Sequence, residues 1–316
     1  MSFRVIGTGS YLPARIVSNS ELSRTLDTSD EWISQRVGIR ERHVCATETT
    51  SELARKAAEA ALEMSGADPG ELDMIICATV SPDNAAPSVA CMIQPMIGAV
   101  CPAMDINAAC SGFIYALDTA AGFFKRGARK ILVVGTERLT GLIDWKDRST
   151  AVIFGDGAGA MVLGEGDEYI ASKLYARGNC TVLSIPNPRG SSPYYENKQS
   201  DPYIRMNGQE TYKFAVNAMC TDLTEVIHAA GLTLEDISWI VPHQANARII
   251  DASVKKLGIS PERCLKNIER VGNTSAASIP ILADELFRSG KLCDGDYIAM
   301  CSFGAGLTSA ACIIRV

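Results

Sequence analysis

Short runs rich in valine and isoleucine alternate along the chain with longer segments in which apolar residues recur at helical spacing. Continuous apolar runs of this kind read as strands buried on both faces, and their alternation with helices reads as an α/β protein. The runs predict strands at Met74–Val80, Met104–Ile106, Ile131–Gly135, Ala151–Phe154, Ile237–Val241, Tyr297–Ser302 and Ser309–Val316. Helices are expected over Glu52–Met64, where Ala54, Ala57, Ala58 and Ala61 share a face, and over Phe214–Ala230 and Ala276–Arg288. The N-terminus enters a short strand-like run that breaks at a Gly7-Thr8-Gly9 turn. From Leu183 to Pro202, the residues Pro186, Pro188, Gly190, Ser191, Ser192 and Pro193 predict an irregular loop. The run Gly155-Asp156-Gly157-Ala158-Gly159 reads as a structural turn, because it lacks the helix start and spacing of a nucleotide fingerprint.

The pattern also echoes itself. Leu72-Asp73-Met74-Ile75-Ile76-Cys77 resembles Glu235-Asp236-Ile237-Ser238-Trp239-Ile240, and each follows a helix ending near a glycine, Gly66 or Gly231. Counting 37 residues on from Asp73 reaches Cys110, and the same count from Asp236 reaches Asn273. Each endpoint opens a stretch of small residues that reads as the start of a buried helix. The echo predicts two similar halves about a pseudo-twofold axis, 1–166 and 167–316, with Cys110 and Asn273 at equivalent, facing positions.

Composition narrows the class. A chain of 316 residues that is 47% hydrophobic and 21% charged buries a core without disulfides or metal, and is neither disordered nor built of membrane spans. No basic, apolar and cleavage regions mark the start as a secretion signal, which reads as a cytoplasmic protein. A net charge of −6 repels nucleic acid, so any acidic partner must meet a local basic patch. The 11 cysteines include no C-x-x-C pair and are odd in number, which reads as reduced thiols, most of them small buried apolar residues.

Three histidines are available for chemistry. His43, in Arg40-Glu41-Arg42-His43, reads as a solvated surface residue, and His228 as a half-buried residue of an amphipathic helix. His243 follows the buried run Ile237–Val241 at the C-terminal end of a strand, where open α/β sheets bind ligands. Cys110 opens a helix whose dipole favours the thiolate and lowers its pKa, and beside an imidazole it suits covalent acyl transfer. Asn273 alone reads as a helix cap, but the repeat sets it opposite Cys110. Phe303-Gly304-Ala305-Gly306 is a turn whose backbone N–H could serve an oxyanion.

Five motifs together resemble the thiolase-fold condensing enzymes, specifically the bacterial β-ketoacyl-acyl carrier protein synthase III family. They are Asp27-Thr28-Ser29-Asp30-Glu31-Trp32 with Gly38-Ile39-Arg40-Glu41-Arg42, Ala109-Cys110-Ser111-Gly112-Phe113, Phe154-Gly155-Asp156-Gly157-Ala158-Gly159, Val241-Pro242-His243-Gln244-Ala245-Asn246, and Gly272-Asn273-Thr274-Ser275-Ala276-Ala277-Ser278. The resemblance implies a layered αβαβα fold and a homodimer of fatty acid biosynthesis. It implies a Cys110, His243 and Asn273 triad: Cys110 takes an acyl group from acyl-coenzyme A, with N–H groups of Cys110 and Ala305 as oxyanion hole. His243 and Asn273 then stabilise the enolate from decarboxylation of malonyl-acyl carrier protein, with no metal or redox cofactor. By the same likeness Trp32 and Arg148 sandwich the adenine, with Thr28, Arg36, Gln209 and Asn246 along the coenzyme A path. Lys213, Arg248, Lys255 and Lys256 match positions that receive the acidic carrier protein.

Two residues depart from the family pattern. Ala86 replaces a bulky aromatic residue that closes the acyl pocket from the partner subunit, which points to longer or branched primers beside acetyl. Gln209 replaces an asparagine that contacts pantetheine. A condensing or acyl-transferring relative of secondary metabolism, a thioester hydrolase using the same three residues, and a non-enzymatic carrier-protein binding module stand as alternatives.

Overall fold

A computed structural model of the chain describes residues 2–187, 190–196 and 201–316. Two sheets carry the architecture. The first contains β1 (Ser2–Tyr11), β2 (Met74–Ala78), β3 (Ala103–Ile106), β4 (Lys130–Arg138) and β5 (Asp156–Gly166) in the order β1-β5-β4-β2-β3. The second contains β6 (Tyr169–Asn179), β7 (Ile237–Pro242), β8 (Tyr297–Gly304) and β9 (Gly306–Arg315) in the order β6-β9-β8-β7. The pairings repeat as well: β2 and β4 run parallel as do β7 and β8, the edge strand β3 adds a parallel pair with β2 that the second sheet lacks, and the other pairs are antiparallel.

The helices that matter to the site are α1 (Asp30–Val37), α2 (Thr50–Ser65), α3 (Gly112–Lys125), α4 (Gly208–Ala229), α5 (Ala247–Leu257) and α6 (Ser278–Arg288). Strand side chains alternate between faces, and the alternation sorts the core into layers. Ile76, Val133 and Met161 of the first sheet and Ile298, Met300 and Cys312 of the second point inward onto Phe113, Leu117, Ile279 and Leu282 of α3 and α6. Their neighbours Ile75, Cys77, Leu132 and Val134 point outward onto Leu53, Ala57 and Ala61 of α2. Ile240, Ala299, Cys301 and Ile313 point outward onto Leu223, Val226, Ile250 and Val254 of α4 and α5. The result is the layered αβαβα thiolase-like fold, with each fully buried large aliphatic side chain contributing roughly 1.5–3 kcal/mol.

Three local expectations give way. Ala151–Phe154 is not a strand: Asp147 caps a helical turn over Arg148–Ala151 by accepting from Ser149 N at 2.9 Å, and Phe154 keeps a single bridge to Asn273. Gly157 and Gly159 lie inside β5 rather than in a turn, because α6 rests on that strand. A Cβ at Gly159 would stand 2.6 Å from Ile281 N. Gly7-Thr8-Gly9 likewise continues β1, where Gly9 admits the backbone of α2. In the Leu183–Pro202 segment, Leu183–Ser184 pairs with Arg205–Met206; Pro188 lies outside the described residues.

The repeat is real in topology but shifted in register near the site. Ala109 and Ser275 are the two non-glycine residues with positive φ among the described residues, at 49° and 48°. Each opens a 3-10 turn leading into a central helix, and each has its N–H held by an asparagine Oδ1 two residues earlier, Asn107 at 3.3 Å and Asn273 at 2.8 Å. The counterpart of Asn273 is therefore Asn107, and that of Cys110 is Ala276. Counting from the strand ends misses this because the connections between strand and turn differ in length.

Candidate active site

A cavity of about 700 Å³ is lined by Trp32 and Arg36 of α1, Gln209 and Lys213 of α4, and Arg248 of α5 with its cap residue Asn246. Cys110, His243 and Asn273 all line it, together with the ring of Phe303 and Gly304. Cys110 arrives on the Ala109–Ser111 turn, His243 at the C-terminal end of β7, and Asn273 on the segment bridged to Phe154.

Each polar group has one end committed and one end left for the cavity. His243 is 1% exposed, and its Nδ1 lies 2.6 Å from Ser278 Oγ, which also accepts from Gln244 N at 3.4 Å. Nε2 is thus the ring nitrogen that Ser278 leaves unengaged. Desolvation brings the imidazole down to about 3, so it is neutral near pH 7. Phe303 stacks edge-on to it at 5.3 Å. The Oδ1 of Asn273 is taken by Ser275 N, so its Nδ2 remains the free donor.

Cys110 contradicts the expectation of a lowered pKa. Its thiol is pushed up to about 12, chiefly by burial, and Glu137 adds a neighbouring negative charge. The turn is held tightly: Thr308 Oγ1 lies 2.9 Å from Ala108 O and 3.0 Å from Ala305 O, joining the cysteine turn to the Ala305 turn. Gly304 is what permits that approach, since a Cβ there would fall 2.7 Å from Cys110 N and 3.1 Å from its Cβ. Gly304→Ala is expected to cost about 1–3 kcal/mol of stability and to slow alkylation of Cys110 at least tenfold, read by thermal melting and peptide mass. An alanine variant with unchanged melting and labelling would mean that the two turns are free to move apart.

The other expected residues distribute as follows. Arg148 lies over the Trp32 ring at 5.2 Å and donates to Asp27 O at 2.7 Å, so a base entering between them must displace the guanidinium. Thr28 is off the cavity and its hydroxyl is buried without a partner. Asn246 both lines the cavity and caps α5, accepting from Arg248 N at 2.9 Å, and its Nδ2 donates to Arg36 O at 3.3 Å. Lys213 is paired with Glu210 at 2.9 Å, and Lys255 and Lys256 are exposed in the last turn of α5. Arg248 and Lys255 are seven positions apart, which puts them on one helical face.

Ala86 is exposed and does not line this cavity; its neighbours Asn84 and Ala85 border a second depression that reaches Ala109 and Ala305 from the other side. His43 is partly buried with Nδ1 2.6 Å from Pro13 O, and His228 is exposed, each differing from its expected environment. Of the 11 cysteines, all free thiols, seven are buried. Sequence reasoning missed Ser278 and Ser275, which hydrogen-bond to His243 and Asn273; small-residue runs carry no signal of such contacts. Among the described residues no helix is long and apolar enough to cross a membrane, and no cluster of three or more His, Cys, Asp or Glu is placed to hold a metal.

Comparison with known proteins adds the decisive observation. The profile described as 3-oxoacyl-(acyl-carrier-protein) synthase III matches residues 104–178, and its C-terminal companion matches 227–316. A β-ketoacyl-(acyl-carrier-protein) synthase III of Clostridium acetobutylicum is 47% identical over 99% of this chain and 98% of its own. The chain belongs to the 3-oxoacyl-(acyl-carrier-protein) synthase III family. A crystal structure of a synthase III from Aquifex aeolicus superposes with a TM-score of 0.92 at 44% identity, covering 99% of this chain and 100% of that one. The priming β-ketosynthase of the R1128 polyketide pathway superposes at 0.93 with 38% identity, over 100% of this chain and 96% of that one. Both family profiles fall on the segments that carry the three cavity residues, with Cys110 in the first and His243 and Asn273 in the second.

Proposed function

We propose that this synthase III joins an acyl-coenzyme A primer to malonyl-acyl carrier protein, giving 3-ketoacyl-acyl carrier protein and initiating fatty acid biosynthesis in the cytoplasm. The observation that carries the reading is the convergence of a thiol, a neutral imidazole and a carboxamide in one cavity; with Nδ1 accepting from Ser278, His243 Nε2 is a donor beside Asn273 Nδ2. Cys110 attacks the primer thioester, the charge on oxygen is met by N–H groups of Cys110 and Ala305, and the coenzyme A thiol leaves. Malonyl thioester then loses carbon dioxide, its enolate oxygen held by His243 and Asn273. The carbanion attacks the acyl-cysteine and releases Cys110. None of these steps calls for a metal or redox group.

Trp32, Arg36, Gln209 and Asn246 suit the coenzyme A path, with Arg148 stacking on Trp32. Arg248 and Lys255, with Lys213 and Lys256, offer the acidic carrier protein a local basic face on an acidic molecule. In this reading residues 1–166 supply the nucleophile and residues 167–316 the two donors. A second copy of the chain brings its Ala86 loop to the acyl pocket, where the small side chain leaves room for longer or branched primers. The likeness to a polyketide priming ketosynthase supports a second destination for the same chemistry, with a different carrier protein and primer.

The test is intact-protein mass after incubation with acyl-coenzyme A thioesters from acetyl to branched and medium-chain, followed by malonyl-acyl carrier protein. Loading on Cys110 and discharge to a ketoacyl product are expected. Ala86→Phe is expected to cut loading of the longest accepted chain about tenfold while sparing acetyl. Free acid accumulating without condensation would favour a hydrolase instead, and no loading at all would favour a binding module.

A further inference from the structure

The side chain next to His243 is explained neither by the cavity nor by the proposed chemistry. Gln244 is 0% exposed and does not line the cavity. Its amide is spent on main chain. Nε2 donates to Pro242 O at 2.8 Å and to Leu265 O at 3.4 Å. Oε1 accepts from Asn267 N at 3.1 Å and from Ile268 N at 3.2 Å. A glutamine amide carries two N–H donors and a carbonyl with two lone pairs, so these four bonds use its whole capacity.

Those bonds tie the end of β7 to the approach to Asn273. Asn267 and Ile268 open the single helical turn Ile268–Val271, and the first N–H groups of a helix have no partner within it. Asn267 does not cap this turn with its own side chain, whose Nδ2 donates to Glu285 at 3.0 Å, so Gln244 Oε1 caps it instead. The turn closes at Gly272, whose N–H returns to Ile268 O at 3.0 Å and whose φ of 73° directs the chain into Asn273. Asn273 is held in place by its N–H to Ile153 O and by its carbonyl accepting from Gly155 N, both at 3.0 Å. On the other side, His243 N donates to Cys301 O at 2.8 Å, so the imidazole rides on the same short stretch of backbone as Gln244. Ser278 fixes the ring through Nδ1, and Gln244 joins the two chain segments that carry the ring and the carboxamide.

We infer that Gln244 is a positioning residue for the condensation step, setting the spacing at which His243 Nε2 and Asn273 Nδ2 reach one enolate oxygen. Two donors serve one oxyanion only when each stands about 2.7–3.1 Å from it, so a small slip of one segment against the other loses a donor without removing any residue. Loading of Cys110 uses neither donor and does not depend on that spacing. The inference rests on the function proposed above, in which the two donors act on the malonyl thioester.

The experiment measures the two half-reactions apart in the full-length protein: single-turnover loading from acetyl-coenzyme A by intact mass, and carbon dioxide release from saturating labelled malonyl-acyl carrier protein. Gln244→Met keeps the volume and removes all four bonds. It is expected to lower carbon dioxide release by roughly 10- to 10²-fold while loading changes less than about threefold. Joined to Asn273→Ala, the same substitution should cost less than about threefold more, because the group it positions is gone. Gln244→Glu carries the test if the methionine variant does not fold. Burial favours its neutral acid, which accepts from Asn267 N and Ile268 N and still donates to Pro242 O. Its carbon dioxide release should therefore approach the wild type at low pH and fall as the carboxylate forms, an additional limb beside the wild-type profile. Wild-type carbon dioxide release in Gln244→Met, equal losses in both half-reactions, or the full loss repeated beside Asn273→Ala overturns the positioning role, as does a glutamate variant without the extra limb. Wild-type protein that loads no acyl group or releases no carbon dioxide overturns the proposed function instead.

Discussion

Cys110→Ser is expected to abolish the acyl-enzyme adduct and to lower condensation by at least about 10³-fold. The hydroxyl fits the space of the thiol, and the turn is fixed by Thr308 and Gly304 rather than by sulfur, so the melting temperature should stay where it is. What changes is the nucleophile, because an alcohol is far harder to ionise than a thiol and burial brings His243 down to about 3, leaving it a poor base. Intact mass after exposure to acetyl-coenzyme A is the measurement. An adduct of acyl mass on the serine protein, mapped to another cysteine, would move the nucleophile elsewhere.

The second large effect belongs to the donors. His243→Ala and Asn273→Ala should each reduce decarboxylation-coupled condensation by roughly 10²–10³-fold, the usual loss when one preorganised oxyanion donor is removed. Acyl loading should fall far less, since it relies on the N–H groups at Cys110 and Ala305. Carbon dioxide release from labelled malonyl-acyl carrier protein, beside single-turnover loading, separates the two. Because burial lowers the His243 pKa, the imidazole is already neutral from about 5 upward, so the condensation step should show no limb from it between pH 5 and 8. A His243 variant that lost loading alone would reverse the roles.

Much of this site is legible in the chain before any coordinates. The strand runs ending at Ala78, Pro242 and Gly304 are dense in buried side chains and announce themselves, and His243 is conspicuous because it directly follows one of them. The echo between the halves is legible as topology. Its register is not, because periodicity reports strands and helices while the equivalence of Asn107 with Asn273 is set by two strained turns that leave no mark on hydropathy. Ala151–Phe154 misleads for a related reason: four apolar residues look like a strand, but a capping aspartate four positions earlier wins the local contest. The Cys110 pKa misleads because helix-end arguments are local, whereas desolvation comes from residues scattered along the whole chain.

The meeting of the two positive-φ turns also bears on what kind of object this protein is. Ala109–Ser111 and Ser275–Ala277 are the entrances to α3 and α6, whose side chains fill the space between the sheets. The proposed reaction centre lies at this seam, where the two turns meet. Cut into separately expressed pieces, each would display an open apolar face and an incomplete set of reactive groups. Any split reporter, circular permutant or chimera built on this scaffold must keep that seam closed, and its recovered activity would measure the fidelity of reassembly.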